Sequence, residues 1–199
     1  MNNRIKILDE STIAKIAAGE IIENPASIVK ELVENSIDAS SNNIVIEIKN
    51  GGKTYIRITD DGIGMNEDEV EYAFLRHSTS KISTAEDLLN IHSLGFRGEA
   101  LASISMTTKM ETLTRSKDSN KGIRIFLKEG EILKKETIGC PLGTTMIAKD
   151  LFYNIPVRKK FLKSDLAESN HISDVIYKIA LGNPNAVSYT HLTLPTKLE

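Results

Sequence analysis

Between Val29 and Ile58 the apolar residues switch from helical to strand spacing, and this switch restricts the fold more than any other feature of the chain. Val29, Leu32, Val33 and Ile37 fill one side of a helix. Ile44, Ile46 and Ile48 then alternate with polar residues, Asn50-Gly51-Gly52 makes a turn, and Tyr55, Ile56 and Ile58 continue the alternation. The pattern is a one-sided helix followed by a hairpin.

The flanking sequence extends it. Residues 11 to 23 read as a helix capped by Asp9 or Ser11 and interrupted by Gly19. Pro25 suits the first turn of the next helix, which runs to Asp38 and stops in the Ser/Asn-rich stretch 40 to 43. After the hairpin come a short helix near 67 to 75 and an aperiodic stretch, 76 to 98, in which 84 to 91 offers a helical turn or two. Long irregular segments in compact domains are characteristically functional or mobile. Gly98 to Ser105 reads as helical. Strands follow at about 107 to 115, 122 to 129, 131 to 139 and 143 to 149, and a last helix spans about 164 to 182 with Ile172, Val175, Ile176 and Ile179 on its apolar face. This order predicts an α+β fold with helices packed on one face of a mixed β-sheet.

At 199 residues the chain suits one domain, with room for the truncated start of a second. The character of the sequence changes at Ser188, so 188 to 199 read as such a start or as a non-native tail. The apolar share of 40% and charged share of 26% are those of an ordinary globular protein. No apolar run approaches a membrane span, and Met1 to Lys6 lack the apolar stretch of a signal peptide, so the expected location is cytoplasmic. Cys140 stands alone, which excludes an internal disulfide. His92, His171 and His191 share no ligand spacing. A net charge of -2 makes any nucleic-acid contact local. Arg158, Lys159, Lys160 and Lys163 form one basic cluster, read as a solvated surface ahead of a DNA contact because no aromatic interleaving supports a strand-binding platform.

The polar side of the 25 to 38 helix carries Glu31, Glu34, Asn35 and Asp38 within one arc, read as having no interleaved Lys or Arg. Such a face is either solvated or a cation site. Two familiar phosphate loops fail: Gly52-Lys53-Thr54 has Glu47 where a Walker A loop needs its first glycine, and Gly62-Ile63-Gly64 meets Glu67 in place of a third glycine. Asp60, directly after a strand, can instead accept a hydrogen bond from an exocyclic amine such as that of adenine, and Gly62 and Gly64 permit a flat ring to approach. Ser93 to Ala100 pairs glycines with a helix start, an anion site suited to a polyphosphate, to which Lys81 and Arg97 add positive charge. Gly143-Thr144-Thr145 contributes hydroxyls on a late strand.

Taken in this order, Glu-x-x-x-Asn, Asp-x-Gly-x-Gly, Gly-Phe-Arg-Gly-Glu-Ala and Gly-Thr-Thr resemble the GHKL ATPases, which have the Bergerat ATP-binding fold. Within them, Ile16 to Ala39, Arg76 to Ile82, Gly95 to Ile104 and Asp150 to Leu162 look like the MutL mismatch-repair family, and the resemblance runs from residue 4 to 187. It implies an ATPase domain over 1 to 187, with a dimerisation arm at 1 to 22 and an ATP lid at 76 to 98. By the same resemblance Glu31 deprotonates the attacking water and Asn35 gives its amide oxygen to Mg²⁺. Asp60 reads the adenine amine, with Gly62, Gly64 and Thr145 beside it. Gly95, Phe96, Arg97, Gly98, Glu99 and Ala100 hold phosphate, with Lys81 on the lid. The family completes its γ-phosphate site with a lysine from a second domain, so slow hydrolysis is expected of this chain. The implied role is an ATP-dependent homodimeric clamp that relays mismatch recognition by MutS to a downstream endonuclease and helicase, touching DNA mainly through parts outside this chain. The competing reading is a non-catalytic nucleotide-binding or interaction scaffold of the same fold.

Overall fold

The computed structural model describes residues 6–76, 78 and 98–183, together with the backbone of 187–192. Its helices are α1 (Glu10–Ile21), α2 (Pro25–Asp38), α3 (Glu67–Tyr72), α4 (Ala100–Thr107), α5 (Pro156–Phe161) and α6 (Asp165–Gly182). Its strands are β1 (Asn43–Lys49), β2 (Tyr55–Asp60), β3 (Lys109–Arg115), β4 (Gly122–Lys128), β5 (Glu131–Ile138), β6 (Gly143–Lys149) and β7 (Val187–Leu192).

The strands form one sheet of seven in the order β5-β4-β3-β6-β2-β1-β7. All neighbours are antiparallel except β1 and β7, which run parallel and make the sheet mixed. The change of sequence character at Ser188 therefore falls within the sheet's edge strand.

The strand alternation predicts correctly which face is buried. Ile44, Ile46 and Ile48 share a buried face with Ile56 and Ile58, and β3, β4 and β6 add Met110, Ile123, Ile125, Leu127, Met146 and Ala148. Against them lie Ile28, Val29, Leu32 and Val33 of α2, with Ile172 and Ile176 of α6. Burying each such aliphatic side chain contributes about 1.5–3 kcal/mol.

Local chemistry sets the helix ends. Asp9 caps α1, accepting from the Thr12 amide at 2.9 Å, and Asn24 caps α2 through Ser27 at 3.0 Å, with Pro25 in the first turn. α2 ends in a Schellman pattern: Ser41 N–H donates to Ser36 O and Ser40 N–H to Ile37 O, with Ser40 in the left-handed region at φ 58°.

Three expectations need correction. α1 runs unbroken through Gly19, which is buried with the Arg158 guanidinium 3.0 Å from where a Cβ would sit. Helix α5 was not expected, because Pro156-Val157-Arg158-Lys159-Lys160-Phe161 has no buried apolar face and all its residues stay outside the core. The acidic side of α2 does carry a cation: Lys30 Nζ lies 2.9 Å from Glu34 and 3.2 Å from Glu31.

Candidate nucleotide site

The site is built where α2 meets the end of β2. Asp60 is the last residue of β2, and its side chain points to the helix-bearing face, as its strand partner Thr144 does. Its Oδ1 accepts from Gly62 N–H at 3.0 Å and Thr144 N–H at 3.2 Å, and its Oδ2 from the Ser36 hydroxyl at 3.0 Å. Burial raises the Asp60 pKa, and the hydrogen bonds from Gly62, Ser36 and Thr144 only partly offset it. Among the described residues Oδ2 has one protein donor where Oδ1 has two, so it keeps room for another. This carboxylate fits an exocyclic amine.

The loop after Asp60 depends on its glycines. Gly64 has φ 66°, and a Cβ there would run into the carbonyl oxygen of Arg115. A Cβ at Gly62 would lie 2.7 Å from Ala39 O and 2.8 Å from Ala39 Cβ. The chain thus folds flat against the end of α2, and Ile63 N–H donates to Ala39 O at 3.0 Å. The Thr114 hydroxyl links the far side: it accepts from Met65 N–H at 2.9 Å and lies 3.0 Å from the Thr144 hydroxyl.

Glu31 and Asn35 sit one turn apart on α2, both half-buried, next to the Ser36 that reaches Asp60. The Lys30 ammonium is partly buried, which works to lower its pKa, but its contacts with Glu34 and Glu31 outweigh that and raise it. Glu34 is not a solvated bystander, since its side chain is only 12% exposed. Among the described residues no group of three or more His, Cys, Asp or Glu could hold a metal ion by itself. A Mg²⁺ here would take Asn35 as its protein oxygen and draw its other ligands from phosphate and water, which suits a cation that keeps several waters.

Gly98, Glu99 and Ala100 lie at the start of α4, with Gly98 at φ 63° against the backbone of Ser78 and Glu99 in the N-cap position. The first amides of a helix have no intrahelical acceptor and favour an anion. Lys81, Gly95, Phe96 and Arg97, and with them nearly all of the 76 to 98 stretch, fall outside the described residues.

One predicted site residue lands on the wrong side of the sheet. Thr145 faces away from Asp60 and its hydroxyl donates to Thr59 at 3.1 Å, because neighbouring strand residues point to opposite faces. Thr144 is the threonine beside Asp60. The strand's own parity carried this signal, since Lys149 must face outward and takes Thr145 and Ile147 with it. Ser36 was also missed, although it interrupts the apolar stripe of Val29, Leu32 and Val33 and is buried there. The basic cluster does contain an aromatic: Phe161 stands 80% exposed among its lysines and arginine.

An acidic helix stripe, a half-buried carboxylate at a strand end and a glycine loop, on a sheet with helices over one face, define an ATP-binding class. Residues 22–144 match the histidine kinase-, DNA gyrase B- and HSP90-like ATPases, and the chain belongs to this family, with its GHKL fold. Within the family the chain is similar to the DNA mismatch repair protein MutL. It is 55% identical over 181 residues to that of Agathobacter rectalis and 53% over 182 residues to that of Caldanaerobacter subterraneus, covering 91% and 92% of this chain. It spans only 28% and 31% of those two proteins. Among solved structures, the Aquifex aeolicus MutL ATPase domain complexed with ADP superposes with a TM-score of 0.70 at 33% identity, covering 86% of this chain and 61% of that one. The N-terminal domain of a DNA repair protein superposes at 0.77 and 32% identity, covering 92% and 53%.

Proposed function

We propose that this chain is the ATP-binding, slowly ATP-hydrolysing part of a mismatch-repair clamp. The observation that carries the proposal is the Asp60 carboxylate, desolvated, held by three donors and still open at Oδ2. It would accept the adenine amine, with Thr144 and the Gly62 to Gly64 loop forming the edge of the base pocket. Glu31 would orient and deprotonate the attacking water, and Asn35 would hold the Mg²⁺ that neutralises phosphate charge when bound. The amides that open α4, with Lys81 and Arg97, would hold phosphate.

The dimer proposal draws support from α1 and the residues before it. Ile7 is 99% exposed, and Leu8, Ile13 and Ile16 are each about half exposed, a row of apolar side chains suited to a second copy of the chain. Arg76, the first residue of the proposed lid, donates to Ala14 O of the proposed arm at 2.9 Å, which supports a link between the two. Coupling to MutS, an endonuclease and a helicase, and contact with DNA, rest on likeness to the longer relatives and belong to the whole protein.

Glu31→Ala tests the chemistry. It should bind ATP with Mg²⁺ about as tightly as the wild type and lose turnover, measured with enzyme in excess over radiolabelled ATP. An unchanged hydrolysis rate would remove Glu31 as the base. A folded wild type that shows no calorimetric ATP binding would favour the scaffold reading.

A further inference from the structure

Asp61 has no part in the site as described, yet its carboxylate carries more hydrogen bonds than any group near it. Oδ1 accepts from the Ser41 hydroxyl at 2.7 Å, Asn42 N–H at 2.8 Å and Asn43 N–H at 2.9 Å, while Oδ2 accepts from Asn43 Nδ2 at 2.7 Å. The residue is solvent-exposed, where water would satisfy a carboxylate without help. Four protein donors instead converge on it, from Ser41 and Asn42 of the connection between α2 and β1 and from Asn43, the first residue of β1.

The arrangement follows from strand geometry. Asp60 and Asp61 are consecutive, and their side chains leave the chain on opposite sides. Asp60 turns inward and takes Ser36, in the last turn of α2. Asp61 turns outward and takes 41 to 43, just beyond the helix. Between these two grips the end of α2 presses on the loop, with Ala39 against Gly62 and bonded to Ile63. The helix end is strained, because Ser40 occupies the left-handed conformation without the freedom of a glycine, and such a conformation persists where its surroundings hold it.

We propose that Asp61 is a positioning residue that fixes the end of α2 against the Asp60 turn and so sets the angle at which Asp60 presents its free Oδ2 lone pair to the adenine amine. The inference rests on the reading of Asp60 as the adenine acceptor. With Asp61 released, the 39 to 43 connection swings, Ser36 and Asp60 move with it, and the base loses its aligned partner while the phosphate end of the site stays built.

The test compares ATP with purine riboside 5′-triphosphate, which lacks only the exocyclic amine, by calorimetry with Mg²⁺. The wild type should prefer ATP by about tenfold or more, the value of one charge-assisted hydrogen bond. In Asp61→Ala that preference should fall toward unity through weaker ATP binding, with the analogue's affinity nearly unchanged. Asp61→Asn keeps an oxygen for Ser41 and the two backbone amides and should hold the wild-type ratio within about twofold. Should Asp61→Ala not fold by thermal melt, Ser41→Ala carries the same expectation at smaller amplitude. A folded Asp61→Ala that keeps the full preference, or that weakens both ligands equally, overturns the proposal. Asp60→Ala separates the two ideas: if it leaves the preference intact, the adenine reading itself fails, and if it alone abolishes the preference, only the role of Asp61 fails.

Discussion

Replacing Asp60 by Asn should make the protein more stable and a poorer ATP binder at once. The wild-type Ser36 hydroxyl lies 3.0 Å from Asp60 Oδ2 and 3.1 Å from Leu32 O, with one proton for two acceptors. An amide at position 60 removes that conflict, since its N–H donates to Ser36 Oγ and frees the hydroxyl proton for Leu32, while its oxygen keeps Gly62 and Thr144. The Asp60 pKa is raised above its ordinary 3.8, chiefly by burial. A carboxyl of that kind supports the fold when protonated, below the unfolded value, and that support is lost as pH rises through the folded value. At pH 7 the ionised group is therefore a burden. Asp60→Asn should gain about 1 kcal/mol at pH 7, within the usual range for neutralising a destabilised functional residue, and the gain should vanish near pH 3. Binding moves the other way, because the charge-assisted bond of about 1.5–3 kcal/mol is lost and an N–H donor faces the adenine amine. Together these should weaken ATP binding by about a hundredfold or more. Urea unfolding at the two pH values and calorimetric titration read both effects. Lower stability at pH 7, or ATP affinity kept within about threefold, would refute this account of Asp60.

Three other substitutions probe the frame of the site. Gly64→Ala should cost about 2 kcal/mol or more and lower the melting temperature, because it puts a Cβ at positive φ and against the Arg115 carbonyl. Ser40→Gly should raise stability by about 1 kcal/mol in the same assay by relieving the left-handed serine that ends α2. Lys30→Met should lower stability by about 1–2 kcal/mol, since Glu34 is left buried without its ammonium. Because the Lys30 pKa is raised, that difference from wild type should be full below its ordinary 10.5 and shrink as pH rises beyond it.

The parts of this structure that were legible in the sequence are those in which one residue's neighbours along the chain decide its place. The switch from Val29-Leu32-Val33 to Ile44-Ile46-Ile48 revealed the helix and hairpin, and Pro25 marked a helix start that the structure keeps. Side-chain meetings across the fold were harder. Thr145 and Thr144 have equal chemistry, and only strand parity separates them. Ser36 reads as a minor break in an apolar stripe until β2 brings Asp60 to it. Asp61 carries no signal of its own in the sequence, because its donors at 41 to 43 are brought to it only when the hairpin closes. Helix α5 escaped because periodicity detects a buried face, and α5 has none.

The most direct test of the central claim is a crystal structure of this protein with Mg²⁺ and a nonhydrolysable ATP analogue. The adenine amine should lie within hydrogen-bonding distance of Asp60 Oδ2, Mg²⁺ on the Asn35 side-chain oxygen, and the γ-phosphate should face Glu31 across one water. A nucleotide bound elsewhere, or one whose base is turned away from Asp60 while the protein is intact, would contradict that claim.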